Sequence, residues 1–122
     1  MFANKLQVTT QELEVWCMNN SDATVLNLVR LNQLTLLPKS IGSIMALEKL
    51  NLERFTGLTA LPESMGNLTA LKELNLLGCT GLTALPESMG NLTALRVLDL
   101  RGCTGLTVLP ESTRSLNAKV RR

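Results

Sequence analysis

Residues 62–85 read PESMGNLTALKELNLLGCTGLTAL, and residues 86–109 read PESMGNLTALRVLDLRGCTGLTVL. The two segments differ at 5 of their 24 positions, so 19 positions are identical. Residues 38–61 match residues 62–85 at 14 positions, and a fainter unit precedes them over residues 23–37. Such a fixed period predicts a solenoid, in which each repeat forms one coil and packs against the next.

Each repeat is predicted to contain one strand and one short helical segment. Leu74 and Leu76 alternate with polar residues, which indicates a strand with these two leucines facing inward. Stacked coils make such strands a parallel sheet with a spacing of about 4.8 Å. Pro62 and Glu63 suit the first turn of a short helix or 3₁₀ segment on the convex side, where Glu63 is expected to face solvent.

Glycines are predicted to mark two bends in each repeat. Glycine reaches positive φ without a steric penalty, so a left-handed turn is expected where three repeats share it, at Gly57, Gly81 and Gly105. The first coil has Gln33 at this position, which leaves open a different turn there, with Asn32 as its left-handed residue. A second bend is expected at Gly42, Gly66 and Gly90.

The N-terminal end of the solenoid is predicted to be closed by a helix. Thr9 and Glu12 have the spacing of a capping box, which predicts a helix over residues 10–19 and a turn to residue 22. Leu13, Trp16 and Cys17 fall on one face of that helix. Trp16 is the best single candidate for a core residue of this cap.

The C-terminal end is predicted to be less complete. Residues 110–122 repeat the start of the helical half, but Lys119 stands where the earlier repeats have Leu71 and Leu95. The segment is therefore expected to form a partial cap and a basic tail. The leucines that this leaves uncovered are Leu98, Leu100, Leu106 and Leu109.

The two clearest repeats carry the pattern Leu-x-x-Leu-x-Leu-x-x-Cys-x-x-Leu-x-x-Leu-Pro. This pattern resembles the leucine-rich repeat family from about residue 23 to residue 110. The Gly-Cys-Thr-Gly-Leu turn and the Leu-Pro-Glu-Ser-Met-Gly-Asn-Leu segment are most similar to the cytoplasmic repeats of plant nucleotide-binding immune receptors. The pattern departs from the bacterial effector type, whose period is shorter.

The resemblance implies an α/β fold in a single domain over residues 1–122. Its expected architecture is a leucine-rich repeat solenoid, a right-handed β-α superhelix of about four coils with a parallel concave sheet and an N-terminal capping helix. The expected segments are the cap (10–22), a degenerate first coil (23–37), three repeats (38–61, 62–85, 86–109) and the C-terminal segment (110–122). The resemblance also implies recognition or autoregulation in a larger assembly.

Composition excludes several functions. The 122 residues include 12 Lys+Arg and 10 Asp+Glu, and the resulting charge of +2 is too small to indicate nucleic acid or membrane as a partner. The absence of His and Tyr removes the commonest catalytic bases, so we expect no enzyme activity and no cofactor or metal. An odd number of cysteines, Cys17, Cys79 and Cys103, suits a reduced, cytoplasmic protein, and the segment from Met1 to Trp16 does not resemble a signal peptide.

The near-identical repeats differ mainly along the strand. Four of the five differences between residues 62–85 and 86–109 lie on or beside it, whereas the open convex positions are unchanged. Leucine-rich repeats usually bind partners on the concave strand surface. We therefore expect a protein partner to bind Lys49, Asn51, Glu53, Lys72, Glu73, Asn75, Leu77, Arg96, Val97, Asp99 and Arg101.

Three alternatives stay open. Cross-strand pairs such as Glu48 with Lys72 and Lys49 with Glu73 contribute about 0.2–1 kcal/mol each and fix strand register without any partner. In the second alternative, the chain is a structural solenoid that is monomeric or associates weakly with itself through its uncovered C-terminal end. A weaker alternative is an ordered surface bound by a threonine ladder, formed by Thr35, Thr59, Thr83 and Thr107.

Overall fold

A computed structural model of the chain describes residues 9–29 and 34–122. The described residues form one α-helix, α1 (Thr10–Asn19), followed by strands and 3₁₀ helices in alternation. The strands are β1 (Val25–Asn27), β2 (Lys49–Asn51), β3 (Glu73–Asn75), β4 (Val97–Asp99) and β5 (Lys119–Arg121). The 3₁₀ helices are η1 (Lys39–Ser43), η2 (Glu63–Asn67), η3 (Glu87–Asn91) and η4 (Glu111–Ser115).

The strands form one parallel sheet in chain order, from β1 to β5. Neighbours from β1 to β4 pair in phase, one full repeat apart, so Leu50 lies opposite Leu74 and Leu74 lies opposite Leu98. These leucines are at most 1% exposed. The predicted inward direction of the strand leucines is therefore confirmed, and the core lies between the sheet and the 3₁₀ helices.

Each 3₁₀ helix begins directly after a proline. Pro62 precedes η2 with φ −72° and ψ 153°, and its carbonyl accepts from the Met65 N–H at 3.0 Å. The five-residue helix turns Met65 into the core, where its side chain is fully buried. The prediction of a short helical segment after Pro62 is confirmed, and Glu63 is exposed as expected.

Adjacent 3₁₀ helices are joined by serine hydrogen bonds and by close glycine contacts. The Ser88 hydroxyl donates to the Glu63 carbonyl at 2.7 Å, and Ser64 and Ser112 make the same bond to Lys39 and Glu87. A Cβ atom added to Gly66 would lie 2.6 Å from the Ser88 Cβ, closer than carbon atoms approach without displacement. Glycine recurs here because the next coil occupies the space of a side chain.

The left-handed turn lies three residues before its predicted position. Positive φ occurs at Arg54 (59°), Gly78 (75°) and Gly102 (78°). The prediction of positive φ at Gly57, Gly81 and Gly105 was wrong, and Gln33 and Asn32 lie outside the described residues. The second glycine of the turn, Gly81, is required for a different reason. A Cβ atom there would lie 2.6 Å from the Thr56 carbonyl oxygen of the preceding coil, so a side chain has no room.

Helix α1 has the predicted bounds and the predicted capping box. The Glu12 N–H donates to the Thr9 hydroxyl at 3.0 Å, and the Thr9 N–H donates back to the Glu12 carboxylate at 3.4 Å. Leu13 and Cys17 are fully buried, and α1 packs against η1. Trp16 is only partly buried, so the core positions of the helix are Leu13 and Cys17.

The last return segment is two residues shorter than the others, and it ends in a strand that the sequence pattern did not predict. Val97 pairs with Lys119, whereas the residue one full repeat after Val97 is Arg121. The cause lies at Leu116, where ψ is 140°, while its equivalent Leu92 has ψ 62°. The chain becomes extended at once after η4, so the equivalence of Lys119 with Leu95 was wrong and the basic tail supplies β5.

Candidate partner-binding surface

The sheet carries its exposed side chains on the side away from the core, at the positions that alternate with the buried leucines. We call this surface the outer sheet face. It comprises Glu48, the eleven residues predicted to bind a partner and, on β5, Lys119 and Arg121. Lys72 and Arg96 lie at its margin, one residue before β3 and β4. The register brings the predicted residues together as continuous rows across neighbouring strands.

Two ion pairs cross the outer sheet face between β2 and β3. The Lys49 ammonium lies 3.4 Å from the Glu73 carboxylate, and the Lys72 ammonium lies 3.0 Å from the Glu48 carboxylate. All four side chains are at least 40% exposed, so solvent screens both pairs. Each is therefore worth about 0–1 kcal/mol, which favours one register without fixing the fold.

The asparagine row has a local structural role. The Glu53 N–H donates to the Asn51 side-chain oxygen at 3.0 Å, and the Leu77 N–H donates to Asn75 in the same way at 2.9 Å. Such a bond from the residue two positions later closes an Asx turn, which ends the strand. The sequence contained this signal, a repeated Asn or Asp directly after the inward leucine. Partner contacts by Asn51 and Asn75 stay a prediction.

Asp99 takes the place of asparagine in β4 and is covered by Arg101. Its side chain is only 9% exposed. The Arg101 guanidinium donates to both of its oxygens, at 3.0 and 2.7 Å, and the Arg101 N–H adds a bond of 3.2 Å. These bonds hold the pKa of the Asp99 carboxyl below its ordinary value of 3.8. The repeat that has Asp99 in place of Asn75 therefore also has Arg101 in place of Leu77, and Arg101 neutralises the new carboxylate.

Asp99 should make the stability of the fold depend on acid pH. Because its pKa is lowered in the folded state, its stabilising contribution is complete above about pH 4 and is lost as pH falls through the folded pKa. In Asp99→Asn the turn is kept, as Asn75 shows, but the ion pair is lost. We expect a cost of about 1 kcal/mol or less at pH 7 in urea unfolding, since Arg101 is half exposed.

The difference in the free energy of unfolding between wild type and Asp99→Asn should become smaller below pH 4. Asn75→Asp is the matched control. It places a carboxylate at the equivalent position of β3, where Leu77 stands in place of Arg101 and provides no cation. A difference between wild type and Asp99→Asn that stays constant from pH 7 to pH 3 would contradict this assignment.

The cysteines of the turn are buried and bonded to backbone. The Cys79 thiol donates to the Leu52 carbonyl at 3.1 Å, and the Cys103 thiol donates to the Leu76 carbonyl at 3.0 Å. Burial raises the pKa of Cys79 to about 11, so the thiol stays protonated near neutral pH. Both side chains therefore face inward and meet backbone groups of the preceding coil. Across residues 9–29 and 34–122, no three His, Cys, Asp or Glu side chains are grouped as metal ligands.

The residues expected to leave the C-terminal end open are covered. Leu98, Leu100 and Leu106 are at most 4% exposed because η4 and β5 pack over them, so their predicted exposure was wrong. The self-association alternative therefore keeps only Leu109 of its residues. Exposed apolar surface at this end belongs instead to Val108 and Val120, which are 74% and 41% exposed.

The threonine ladder of the ordered-surface alternative bonds along the solenoid. The Thr83 N–H donates to the Thr59 carbonyl at 3.1 Å, and the Thr83 hydroxyl reaches the same oxygen at 3.4 Å. Thr59 bonds to Thr35 in the same way. These contacts hold neighbouring coils together. Separately, none of the helices in the described part of the chain has the length and apolar content needed to cross a bilayer.

Comparisons with solved structures identify the fold. The leucine-rich repeat domain of the type III effector XopL is 31% identical with a TM-score of 0.76, and the match covers 88% of this chain and 36% of that one. A leucine-rich repeat protein of Leptospira interrogans is 28% identical with a TM-score of 0.58, over 72% of this chain and 22% of that one. No protein-family model and no curated protein sequence matches the chain. The chain has the leucine-rich repeat fold and spans about a third or less of these two structures.

Proposed function

We propose that this chain, which has the leucine-rich repeat fold, is a non-catalytic interaction module that binds a protein partner on the outer sheet face. Leucine-rich repeat domains generally mediate protein–protein interactions. The outer sheet face is the surface that the sequence pattern expects to be concave. Its rows mix the half-buried apolar side chains of Leu77 and Val97 with charges of both signs, as the centre and rim of an interface do.

The observation that carries the proposal is the position of the differences between repeats. Residues 62–85 and 86–109 keep the same residue at the exposed 3₁₀ positions, such as Glu63 and Glu87. They differ on the sheet side, where Glu73 becomes Val97 and Leu77 becomes Arg101. Drift alone predicts change on both exposed sides. Four of the five differences lie on the sheet side and one, Ala84 to Val108, lies at an exposed position elsewhere, so the bias towards the sheet side supports selection for contacts there.

The competing role for these side chains is to fix strand register. The ion pair of Lys49 with Glu73 fits that role between β2 and β3. It does not extend to β4, because Val97 lies opposite Glu73 in the next pair. Arg96 likewise makes no salt bridge within the described ranges. Register thus accounts for one strand pair, and the ion pair of Asp99 with Arg101 accounts for two of the differences in and after β4. The two that remain, Lys72 to Arg96 and Glu73 to Val97, support a partner.

A capture experiment tests the proposal. The intact chain and the variant Glu73→Lys, Leu77→Asp, Arg96→Glu are immobilised and exposed to cytosolic extract of the source organism. Arg96 is chosen over Arg101 because removing Arg101 would uncover Asp99. We expect the intact chain to retain a protein that the variant retains at least about tenfold less, since central interface residues each contribute roughly 1–2 kcal/mol.

The matched control is Glu63→Lys, Glu87→Lys on the 3₁₀ side, with all proteins shown to melt at the same temperature. The control should capture the partner as the intact chain does. Equal capture by all three proteins, or no capture by any, would place binding elsewhere and reject the outer sheet face.

Location and family type belong to the same proposal. The buried, unpaired thiols of Cys17, Cys79 and Cys103 support a reducing compartment, and we propose the cytoplasm. The regular repeat length and the Gly-Cys-Thr-Gly-Leu turn support a relation to plant immune-receptor repeats. The chemistry at hand also supports a non-catalytic role, since burial raises the pKa of the Cys17 thiol to about 11 and the sequence has no His.

A further inference from the structure

Strand β5 has a neighbouring strand on one side only within the described residues. Its Lys119 N–H donates to the Arg96 carbonyl at 2.7 Å, and its Arg121 carbonyl accepts from the Leu100 N–H at 2.6 Å. In a parallel ladder, alternate residues direct their backbone groups to opposite sides. The N–H and C=O of Val120 therefore face away from β4, at the open edge.

The side chains at this edge are basic, apolar and basic in turn. Lys119 and Arg121 are exposed on the outer sheet face, and neither forms a salt bridge in the part of the chain that the structure describes. Val120 points to the other side, where it borders a groove of about 530 Å³ whose lining includes apolar Val108, Leu109 and Leu116 as well as Arg114 and Arg122. The carboxylate of Asp99, on the neighbouring strand, is already bound by Arg101.

We propose that an acidic, extended peptide segment of a partner protein pairs with β5 as a sixth parallel strand. Strand addition uses the free N–H and C=O groups of a sheet edge for affinity and the side chains for specificity. Here the edge selects a segment with the order acidic, apolar, acidic. This site shares Lys119 and Arg121 with the outer sheet face but goes beyond that proposal, because it also uses the backbone edge of β5 and the groove beside Val120.

The register of the sheet gives this order. In-phase pairing places the central residue of the new strand opposite Val120, as Leu98 is paired with Val120 on the other side. Its apolar side chain then enters the groove. The residues before and after it lie beside Lys119 and Arg121, where carboxylates make the cross-strand pair that Lys49 and Glu73 already show at 3.4 Å.

A second copy of this chain fits the edge poorly. Its strand β1, which has a single neighbouring strand in the described part of the chain, presents Val25 and Asn27 on the corresponding side and so brings no carboxylate to the two cations. The sequence Glu12-Leu13-Glu14 has the required order, but it lies within α1 with Leu13 fully buried. Charge therefore favours a different, acidic partner.

The probe is a blocked, fluorescent peptide with the sequence Thr-Ser-Glu-Val-Glu-Thr-Ser, and binding to the full chain is followed by anisotropy at low salt. The same peptide with Lys in place of both Glu residues should not bind. The variant Lys119→Glu, Arg121→Glu should reverse this preference. The variant Val120→Pro should bind about tenfold more weakly than Val120→Thr, because it lacks the outward N–H while an edge strand tolerates proline.

Two N-methylated peptides test the backbone pairing without altering the protein. By the same alternation, the N–H of the second Glu faces β5, and that of the central Val faces away. Methylation of the second Glu should weaken binding about tenfold relative to methylation of the central Val. Equal affinity of the two methylated peptides would show attraction by charge alone and would overturn strand pairing.

The remaining outcomes are equally decisive. The proposal is overturned if the acidic peptide shows no saturable binding. It is also overturned if light scattering shows that the free chain forms a dimer and that the variant Lys119→Glu, Arg121→Glu does not. The variant Glu73→Lys, Leu77→Asp should bind the peptide as the intact chain does. If it loses the peptide while Val120→Pro keeps it, the peptide occupies the outer sheet face, and this inference fails while the proposed function stands.

Discussion

Replacing Leu76 by alanine is expected to lower the free energy of unfolding by about 2–5 kcal/mol. Leu76 is fully buried directly after β3, in the middle of the sheet. Backbone bonds hold this segment from both sides, because the Leu52 N–H of the preceding coil donates to the Asn75 carbonyl at 2.8 Å and the Leu76 N–H donates to the Asp99 carbonyl of the following coil at 2.9 Å. Neighbouring coils therefore have little freedom to collapse into the cavity, which favours the upper part of this range.

Urea unfolding followed by circular dichroism measures this loss. The control is Glu63→Ala in η2 of the same repeat, where the exposed side chain makes no ion pair within the described ranges, and its change should stay within about 0.5 kcal/mol. Similar losses for the two variants would mean that the inside and outside of the repeat are wrongly assigned.

Gly66→Ala is expected to cost about 2–3 kcal/mol, although it adds a single methyl group. That methyl would lie 2.6 Å from the Ser88 Cβ and 2.9 Å from the Ser88 carbonyl oxygen in the next coil. Relief requires η2 and η3 to move apart, which also lengthens the bond from the Ser88 hydroxyl to Glu63. Thermal and urea unfolding should both show the loss.

A double substitution separates this clash from a loss of backbone freedom. Ser88→Gly removes the nearest carbon atom, so the combination Gly66→Ala, Ser88→Gly should cost less than the sum of the two single changes. Asn67→Ala, at an exposed position of the same helix, is the neutral control. Additive effects of Gly66→Ala and Ser88→Gly would show that the two coils do not meet at this point.

The repeat itself could be predicted because every copy states the same pattern. Leu74 and Leu76 have equivalents one full repeat away on either side, and burial of these columns fixes both the direction of the side chains and the register. Likewise, Pro62 sets a φ that suits the start of η2. Agreement between copies thus gives the strand, the helix and the outer sheet face from sequence alone.

Features that depend on one backbone angle or on space between coils could not be predicted. Gly78 and Gly81 occur together in the turn, and the sequence does not say which one needs positive φ and which one needs room. At Leu116 a change of ψ shortens the return segment. A period-based alignment cannot detect that change, so β5 was missed and the burial of Leu98 with it.

For the candidate site, the sequence placed the eleven residues on one surface but not their individual roles. Asn51 and Asn75 read as polar contacts, yet both side chains close turns at the ends of their strands. Asp99 reads as an exposed charge, yet Arg101 covers it. Both cases follow from bonds to the residue two positions later, which alternation along a strand does not describe.

The contacts between 3₁₀ helices are copied from one joint to the next. Gly42 meets Ser64, Gly66 meets Ser88, and Gly90 meets Ser112, with nearly the same distances. At these joints each repeat therefore presents the same contacts at its front and back, and a further copy of residues 62–85 inserted there would meet the same glycine and serine contacts. Adding or removing whole repeats should therefore change the length of the solenoid in steps of about 4.8 Å, while the residues at its two ends stay the same.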